Sequence, residues 1–222
     1  MREVIMKMTT KTTRVIAMAL LIGLLLVSCK SSVSENIGEK QSKECCTTSA
    51  DGSTAAKLPD ESVYNLSSVW KTQKGDSVPF SSFHGEVTVA AMVFTHCASA
   101  CPRIVADIQR IERELQPQER GKVRFLLISM DPERDTPERM QEFAGQFQLN
   151  DHWTLISSNE DATMEMANIL GVRVKKLSDG GFDHSNTIHV ISPSGMIIHQ
   201  QQGLAVDPAE TLAALRGLLK AA

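Results

Sequence analysis

The chain has 222 residues, of which 22% are charged and 42% hydrophobic, and its formal net charge at neutral pH is −3. This length suits one domain with short appendages, and an acidic balance without a concentrated basic face argues against nucleic acid as a partner. Five cysteines and six histidines leave thiol and metal chemistry open.

The N-terminus combines positive charge with a short apolar run. Four basic residues within the first fourteen precede Val15 to Val27, thirteen positions without a polar side chain. Such a run is too short to span a membrane, which takes roughly 18 residues or more, but it fits the core of a signal peptide. It ends in Ser28-Cys29, which resembles the bacterial lipoprotein signal, whose cysteine becomes lipidated. We therefore expect residues 1–28 to be a signal peptide and Cys29 to carry a lipid. The alternative is an ordinary signal peptide or a short membrane anchor, with Cys29 incidental.

The expected lipid would make the protein an extracytoplasmic, membrane-anchored lipoprotein, on the periplasmic side or at the cell surface. Residues 29–60 are rich in polar residues and too poor in large apolar ones to form a core, so they are predicted to be a flexible tether. The tether holds Cys45-Cys46, whose side chains could pair with another chain, pass on metal or have no special role. Residues 61–222 are predicted to form one folded domain.

Strand and helix patterns alternate along this domain. Buried apolar runs, helical periodicity and cap or turn residues define the elements. Strands are predicted at 63–70, 77–80, 87–94, 123–130, 154–157, 188–192 and 196–200, and helices from about 101 to 115, from 136, over 160–170 and from 207. This order predicts an α/β, thioredoxin-like fold with a central mixed sheet flanked by helices.

Two cysteines stand where a buried strand gives way to a helix, in the motif Cys97-Ala98-Ser99-Ala100-Cys101. Helix N-termini favour the thiolate form of cysteine. If Cys97 and Cys101 were positions i and i+4 of one helix, their Cβ atoms would lie roughly 5–6 Å apart, wider than the roughly 3.5–4.5 Å of a disulfide. The spacing therefore favours a soft metal such as Cu(I), or zinc with more ligands. Two structural cysteines that happen to be close are the alternative.

A third ligand is expected from the segment that enters the strand at residue 188. In thioredoxin-like folds this segment packs against the cysteine pair, which makes His184 the candidate. Asp183 could orient the imidazole through a hydrogen bond, or be an ordinary solvated acid. His189 is expected to be a packing or surface residue, and His96 to point away from Cys97.

Three motifs together resemble the Sco/SenC family. They are the cysteine motif followed by Pro102, the segment Asp131-Pro132-Glu133-Arg134-Asp135-Thr136-Pro137, and Asp183-His184-Ser185. The resemblance implies that Cys97, Cys101 and His184 bind copper as Cu(I) or Cu(II). It also implies a partner, the cytochrome c oxidase subunit with the dinuclear copper site, to which copper is delivered or whose cysteines are reduced. The segment from Asp131 to Pro137 is interpreted as a strand-exit turn with a helix cap.

Three functions are compatible with these residues. The first is a copper metallochaperone for the copper site of a respiratory oxidase. The second is a membrane-tethered thiol:disulfide oxidoreductase, because Cys97 and Cys101 could also act as a redox pair. His184 favours the first, since a reductase needs no third soft-metal ligand. A thiol peroxidase would need a threonine one place further from Cys97 than Thr95.

Overall fold

The structure is a computed structural model that describes residues 57–221. The predicted signal peptide, Cys29, Cys45, Cys46 and most of the predicted tether lie outside the described residues. Strands and helices alternate through the described part. The strands are β1 (Val69–Thr72), β2 (Ser77–Pro79), β3 (Val87–Val93), β4 (Val123–Ser129), β5 (Trp153–Ser157), β6 (Val174–Lys176), β7 (Phe182–His184), β8 (Thr187–Ile191) and β9 (Ile197–Gln202). The helices are α1 (Ala100–Glu114), α2 (Pro117–Arg120), α3 (Pro137–Gln146), α4 (Glu160–Leu170) and α5 (Ala209–Ala221).

One mixed sheet forms the centre of the domain, with strand order β2-β1-β5-β4-β3-β8-β9. Strands β3, β4 and β5 are parallel, whereas β8 and β1 run antiparallel to their inner neighbours β3 and β5. All seven residues of β3 are buried, as expected for a strand covered on both faces. Helices α1 and α5 contact each other and β3, while α3 contacts β5. The predicted α/β class with a mixed sheet flanked by helices is confirmed.

The ends of three strands meet at one edge of this sheet. The carboxyl ends of the parallel strands β3 and β4 lie side by side, with Val93 opposite Ser129. Strand β8 runs the other way, so its first residues lie at the same edge. The loops that follow β3 and β4 and the segment that precedes β8 therefore come together there. These three segments carry the cysteine motif, the Asp131–Pro137 motif and His184.

The predicted boundaries of α3 and α4 agree with the structure, because both helices have capping residues that the sequence shows. Thr136 accepts a hydrogen bond from the Arg139 backbone N–H at the start of α3 (3.3 Å). Asn159 caps α4, which ends at Gly171 in the left-handed conformation (φ +66°).

The first predicted strand is partly wrong. Residues Val63–Asn65 form a turn of 3-10 helix, because Ser62 Oγ accepts a hydrogen bond from the Tyr64 N–H and the Val63 N–H binds the Gly195 carbonyl instead of a neighbouring strand. Strands β6 and β7, an antiparallel ribbon apart from the main sheet, were not predicted. With three residues each, they are too short to show a sequence period.

No helix among residues 57–221 is both long enough and apolar enough to cross a membrane.

Substitution of two glycines can test how firmly the 3-10 turn at Val63–Asn65 is held in place. Gly75 and Gly195 both have φ +87°, a conformation that costs a residue with a Cβ about 1–2 kcal/mol. A Cβ at Gly75 would meet no atom within 4 Å, whereas a Cβ at Gly195 would collide with Ser62 Oγ and lie 2.7 Å from Tyr64 Cδ2. In urea unfolding of the full-length chain, we expect Gly195→Ala to lower the free energy of unfolding by at least about 1 kcal/mol more than Gly75→Ala. Equal losses would show that the turn moves aside freely.

Candidate metal centre

Cys97 and Cys101 lie on either side of the start of α1. The Cys97 N–H donates to the Phe94 carbonyl (3.1 Å), which makes a tight turn directly after β3. Helix α1 begins at Ala100, and Ser99 before it has a non-helical backbone (φ −126°, ψ −68°). The estimate that treated Cys97 and Cys101 as positions i and i+4 of one helix is therefore wrong, since only Cys101 is helical. Both residues are free thiols in the structure.

The sulfur of Cys97 accepts hydrogen bonds from backbone N–H groups at the start of α1. Partial burial alone raises the pKa of the Cys97 thiol. Hydrogen bonds from the N–H groups of Cys101, Ser99 and Ala100 outweigh burial, so that the net pKa is lowered. The Cys101 N–H lies 3.3 Å from Cys97 Sγ. Because N–H donors stabilise negative charge on sulfur, Cys97 is the half-exposed, nucleophilic thiol of the two.

Cys101 has the opposite environment. Its side chain is fully buried, and burial strongly raises the pKa of its thiol, a shift that the Phe94 N–H at 3.4 Å only partly offsets. Charge on Cys97 and on Asp135 raises the pKa of Cys101 further. Cys101 therefore keeps its proton until a metal ion or a neighbouring sulfur takes its place.

His184 is the last residue of β7, opposite Val174 of β6. It was predicted in a loop and lies instead at the end of a short strand. Its ring packs edge-on against Phe94, with centroids 6.1 Å apart. Burial lowers the pKa of His184, which favours the neutral imidazole. Nδ1 lies 3.2 Å from the Ser185 carbonyl, which can only accept, so Nδ1 carries the proton and Nε2 keeps its lone pair for a metal.

The hydrogen-bond partner of His184 is this backbone carbonyl rather than the carboxylate of Asp183. Asp183 is exposed, and its negative charge nearby raises the pKa of His184, against the larger effect of burial. Its influence on the imidazole in the structure is thus electrostatic.

Cys97 and His184 line one cavity of about 420 Å³, and Cys101 lies buried behind Cys97. Within residues 57–221, the one set of three possible ligands whose donor atoms all lie within 4.8 Å of one another is His96, Asp131 and Asp135. The predicted donors Cys97, Cys101 and His184 thus belong to one region but stand further apart than in a closed metal site. The assignment of these three ligands stays a prediction.

The segment from Asp131 to Pro137 does more than end a strand and cap a helix. Buried Asp135 accepts hydrogen bonds from the Thr95 hydroxyl and the Ser129 hydroxyl, both at 2.6 Å, and from the Thr95 N–H at 3.2 Å. Arg134 donates to the Asp131 carboxylate and to the Gly180 carbonyl in the turn between β6 and β7. Adjacent residues of one segment therefore hold the loop that carries Cys97 and the ribbon that carries His184.

The remaining histidines differ in environment. His189 is fully buried, and its Nε2–H donates to the Leu170 carbonyl at 2.8 Å, so its predicted packing role is confirmed. His199 lies 3.1 Å from the Thr211 hydroxyl. His96 lines the same cavity, with its Nδ1 3.3 Å from the Thr95 hydroxyl, and the expectation that it points away from Cys97 stays a prediction.

The contrast between the two thiols predicts unequal alkylation. In the reduced full-length chain at pH 8, we expect Cys97 to react with iodoacetamide at least about tenfold faster than Cys101, since one pKa unit changes the thiolate fraction about tenfold. The Cys97 rate should level off at a lower pH than that of an ordinary thiol, because its pKa is lowered. Peptide mass spectrometry separates the sites, and unfolding in urea should equalise them. Equal rates in the folded chain would contradict the assignment.

Comparisons with known proteins agree with this architecture. A family model described as SCO1/SenC matches residues 65–220. The SCO1 protein homolog of Bacillus subtilis (strain 168) is 25% identical over 147 residues, which cover 64% of this chain and 76% of that protein. The structure of Bradyrhizobium japonicum ScoI with copper bound has a TM-score of 0.59 at 27% identity, covering 68% of this chain and 96% of ScoI.

The structure of BsSco, described as a member of the Sco family of cytochrome c oxidase assembly proteins, has a TM-score of 0.60 at 24% identity and covers 68% of this chain and 90% of BsSco. These neighbours share the predicted thioredoxin-like fold. Because the family model matches residues 65–220, well over half of this chain, the chain belongs to the SCO1/SenC family.

Proposed function

We propose that this chain is a copper metallochaperone that holds one copper ion through Cys97, Cys101 and His184 and serves assembly of the copper site of a respiratory cytochrome c oxidase. The observation that carries the proposal is that the Cys97 thiol and the His184 imidazole line a single open cavity, with the Cys101 thiol buried next to Cys97. The ScoI structure with copper bound and the description of the Sco family as oxidase assembly proteins support it.

The donor set fits copper. Thiolates are soft ligands that select Cu(I), and imidazole binds both Cu(I) and Cu(II) well. The N–H groups around Cys97 favour the thiolate that a metal requires, and Nε2 of His184 is the unprotonated nitrogen. These three donors do not form a group within 4.8 Å of one another, so binding one ion through all three requires His184 and the thiols to approach each other.

As cargo, copper leaves such a site by ligand exchange. Cys97 and His184 lie at an open cavity, so a thiol or imidazole of the target can replace one ligand at a time. Buried Cys101 is the ligand least accessible to the target. We infer that it is exchanged last, and that the target is the oxidase subunit carrying the dinuclear copper site.

The contrast between the two cysteines favours thiol–disulfide exchange as a second candidate function. Cys97 as thiolate would attack a disulfide of the partner, forming a mixed disulfide and releasing one partner thiolate. Cys101, once deprotonated, would then attack the sulfur of Cys97 and release the second. The partner gains two electrons as a dithiol, and this chain is left with a Cys97–Cys101 disulfide.

Copper titration tests the first function. We expect the reduced full-length chain to bind one Cu(I), and Cys97→Ala, Cys101→Ala and His184→Ala each to weaken binding by more than the roughly 10–100-fold that loss of a ligand's supporting hydrogen bond costs. Competition with a chromophoric Cu(I) chelator measures this. His152→Ala, which removes an exposed histidine at the start of β5, is the matched control and should bind like the wild type.

The same variants separate the two functions. His184→Ala should lose copper but keep disulfide exchange with a model disulfide substrate, because the imidazole takes no part in exchange. If His184→Ala bound copper with full affinity while exchange stayed active, the oxidoreductase function would replace the chaperone function.

We also propose that the chain is processed as a lipoprotein and held outside the cytoplasm at a membrane by lipid on Cys29. The support is the basic start, the apolar run Val15 to Val27 and the cysteine that follows. Cys29→Ser in the full-length chain, expressed in a bacterium, should abolish incorporation of labelled fatty acid and shift the protein from the membrane to the soluble fraction. Unchanged labelling would exclude Cys29 as the lipidated residue.

A further inference from the structure

A second histidine shares the cavity that holds Cys97 and His184. His96 precedes Cys97 in the chain, lines the same cavity and leaves 41% of its side chain exposed. Its Nδ1 faces the network around Asp135, lying 3.3 Å from the Thr95 hydroxyl and 3.8 Å from the Asp135 carboxylate.

The Thr95 hydroxyl fixes which nitrogen of His96 carries the proton. The single hydroxyl proton of Thr95 is committed to Asp135 in a short hydrogen bond of 2.6 Å. Toward its other neighbours Thr95 Oγ1 can only accept, and it does so from Arg139 Nε at 3.1 Å. His96 therefore donates through Nδ1–H, and Nε2 is the ring nitrogen that this contact leaves unused.

His96 and His184 thus have the same tautomer. In both rings Nδ1–H is bound to a protein oxygen and Nε2 is available. This is the usual arrangement of metal-ligating histidine, whose second nitrogen is held by a hydrogen bond that orients the ring. The cavity is therefore lined by two imidazole rings and the Cys97 thiol, with Cys101 buried next to Cys97.

Cu(I) is satisfied by soft thiolates and one further donor, whereas Cu(II) prefers a tetragonal set with more nitrogen or oxygen ligands. The proposed site provides three donors, from Cys97, Cys101 and His184. A tetragonal Cu(II) ion would need at least one further ligand. We propose that His96 is a fourth ligand that binds Cu(II) through Nε2 and does not bind Cu(I), an inference that rests on the proposed copper site.

Two carboxylates also line the cavity and could compete for this place. Asp179 already accepts the Gly181 N–H at 2.9 Å. Asp183 is exposed, so ordering it on a metal would cost solvation and side-chain freedom. His96 adjoins a ligand in the chain and is already oriented by a buried network, and it therefore loses less on binding.

Pulsed EPR of the full-length chain loaded with Cu(II), with and without ¹⁵N-histidine, counts the coordinated imidazoles. We expect two in the wild type and one in His96→Ala. Cu(II) affinity should fall in His96→Ala by at least the roughly tenfold that loss of a ligand's hydrogen-bond partner already costs, while Cu(I) affinity stays unchanged. His152→Ala is the matched histidine control and should behave like the wild type. Asp183→Asn tests the competing carboxylate and should keep two coordinated imidazoles.

One imidazole in the wild type, or unaltered Cu(II) affinity in His96→Ala, would overturn the inference while leaving the three-ligand site intact. A loss confined to Asp183→Asn would transfer the role to that carboxylate, and an equal loss of Cu(I) affinity in His96→Ala would refute the dependence on oxidation state. Failure of the proposed function itself looks different, because His184→Ala would then bind both ions like the wild type.

Discussion

The buried carboxylate of Asp135 is the contact on which the candidate site depends. It receives hydrogen bonds from Thr95 and Ser129, so it joins the loop after β3 to the end of β4. Burial raises the pKa of Asp135, and the hydrogen bonds from Ser129 and Thr95 offset part of that rise. An amide in its place would keep the size but lose acceptors, and each buried donor left unpaired costs about 1–3 kcal/mol. The position of Cys97, two residues after Thr95, follows from this contact.

The neighbouring residue, Arg134, holds the opposite wall of the cavity in place. Its guanidinium bridges the Asp131 carboxylate to the Gly180 carbonyl, in the turn of the ribbon that ends at His184. Residues 134 and 135 thus connect the thiol loop and the histidine ribbon to one strand end, although neither is a proposed copper ligand. The ribbon is not part of the main sheet, and its Phe182 packs edge-on against Phe94 with ring centroids 5.1 Å apart. The candidate site is thus held at its base by residues 134 and 135 and open at its rim.

The sequence predicted what depends on local chemistry and missed what depends on contacts across the chain. Strands β3 and β4 were legible because nearly all their residues are apolar and buried, and α3 because Thr136 and Pro137 form a recognisable cap. The helical estimate for the cysteine pair failed because Ser99 is not helical, which three residues between two cysteines cannot reveal. The orientation of His96 depends on Thr95 and on Asp135, 40 residues away from that threonine, a contact that no local pattern encodes.

The direction in which the site faces follows from the path of the chain. The Val63 N–H binds the Gly195 carbonyl and the Gly85 N–H binds the Pro193 carbonyl, so the described chain enters where β3 begins and β8 ends. Cys97 lies beyond the other end of β3, and seven residues of strand span about 23 Å. The cysteine pair therefore lies at the edge of the sheet opposite the one where the described chain enters.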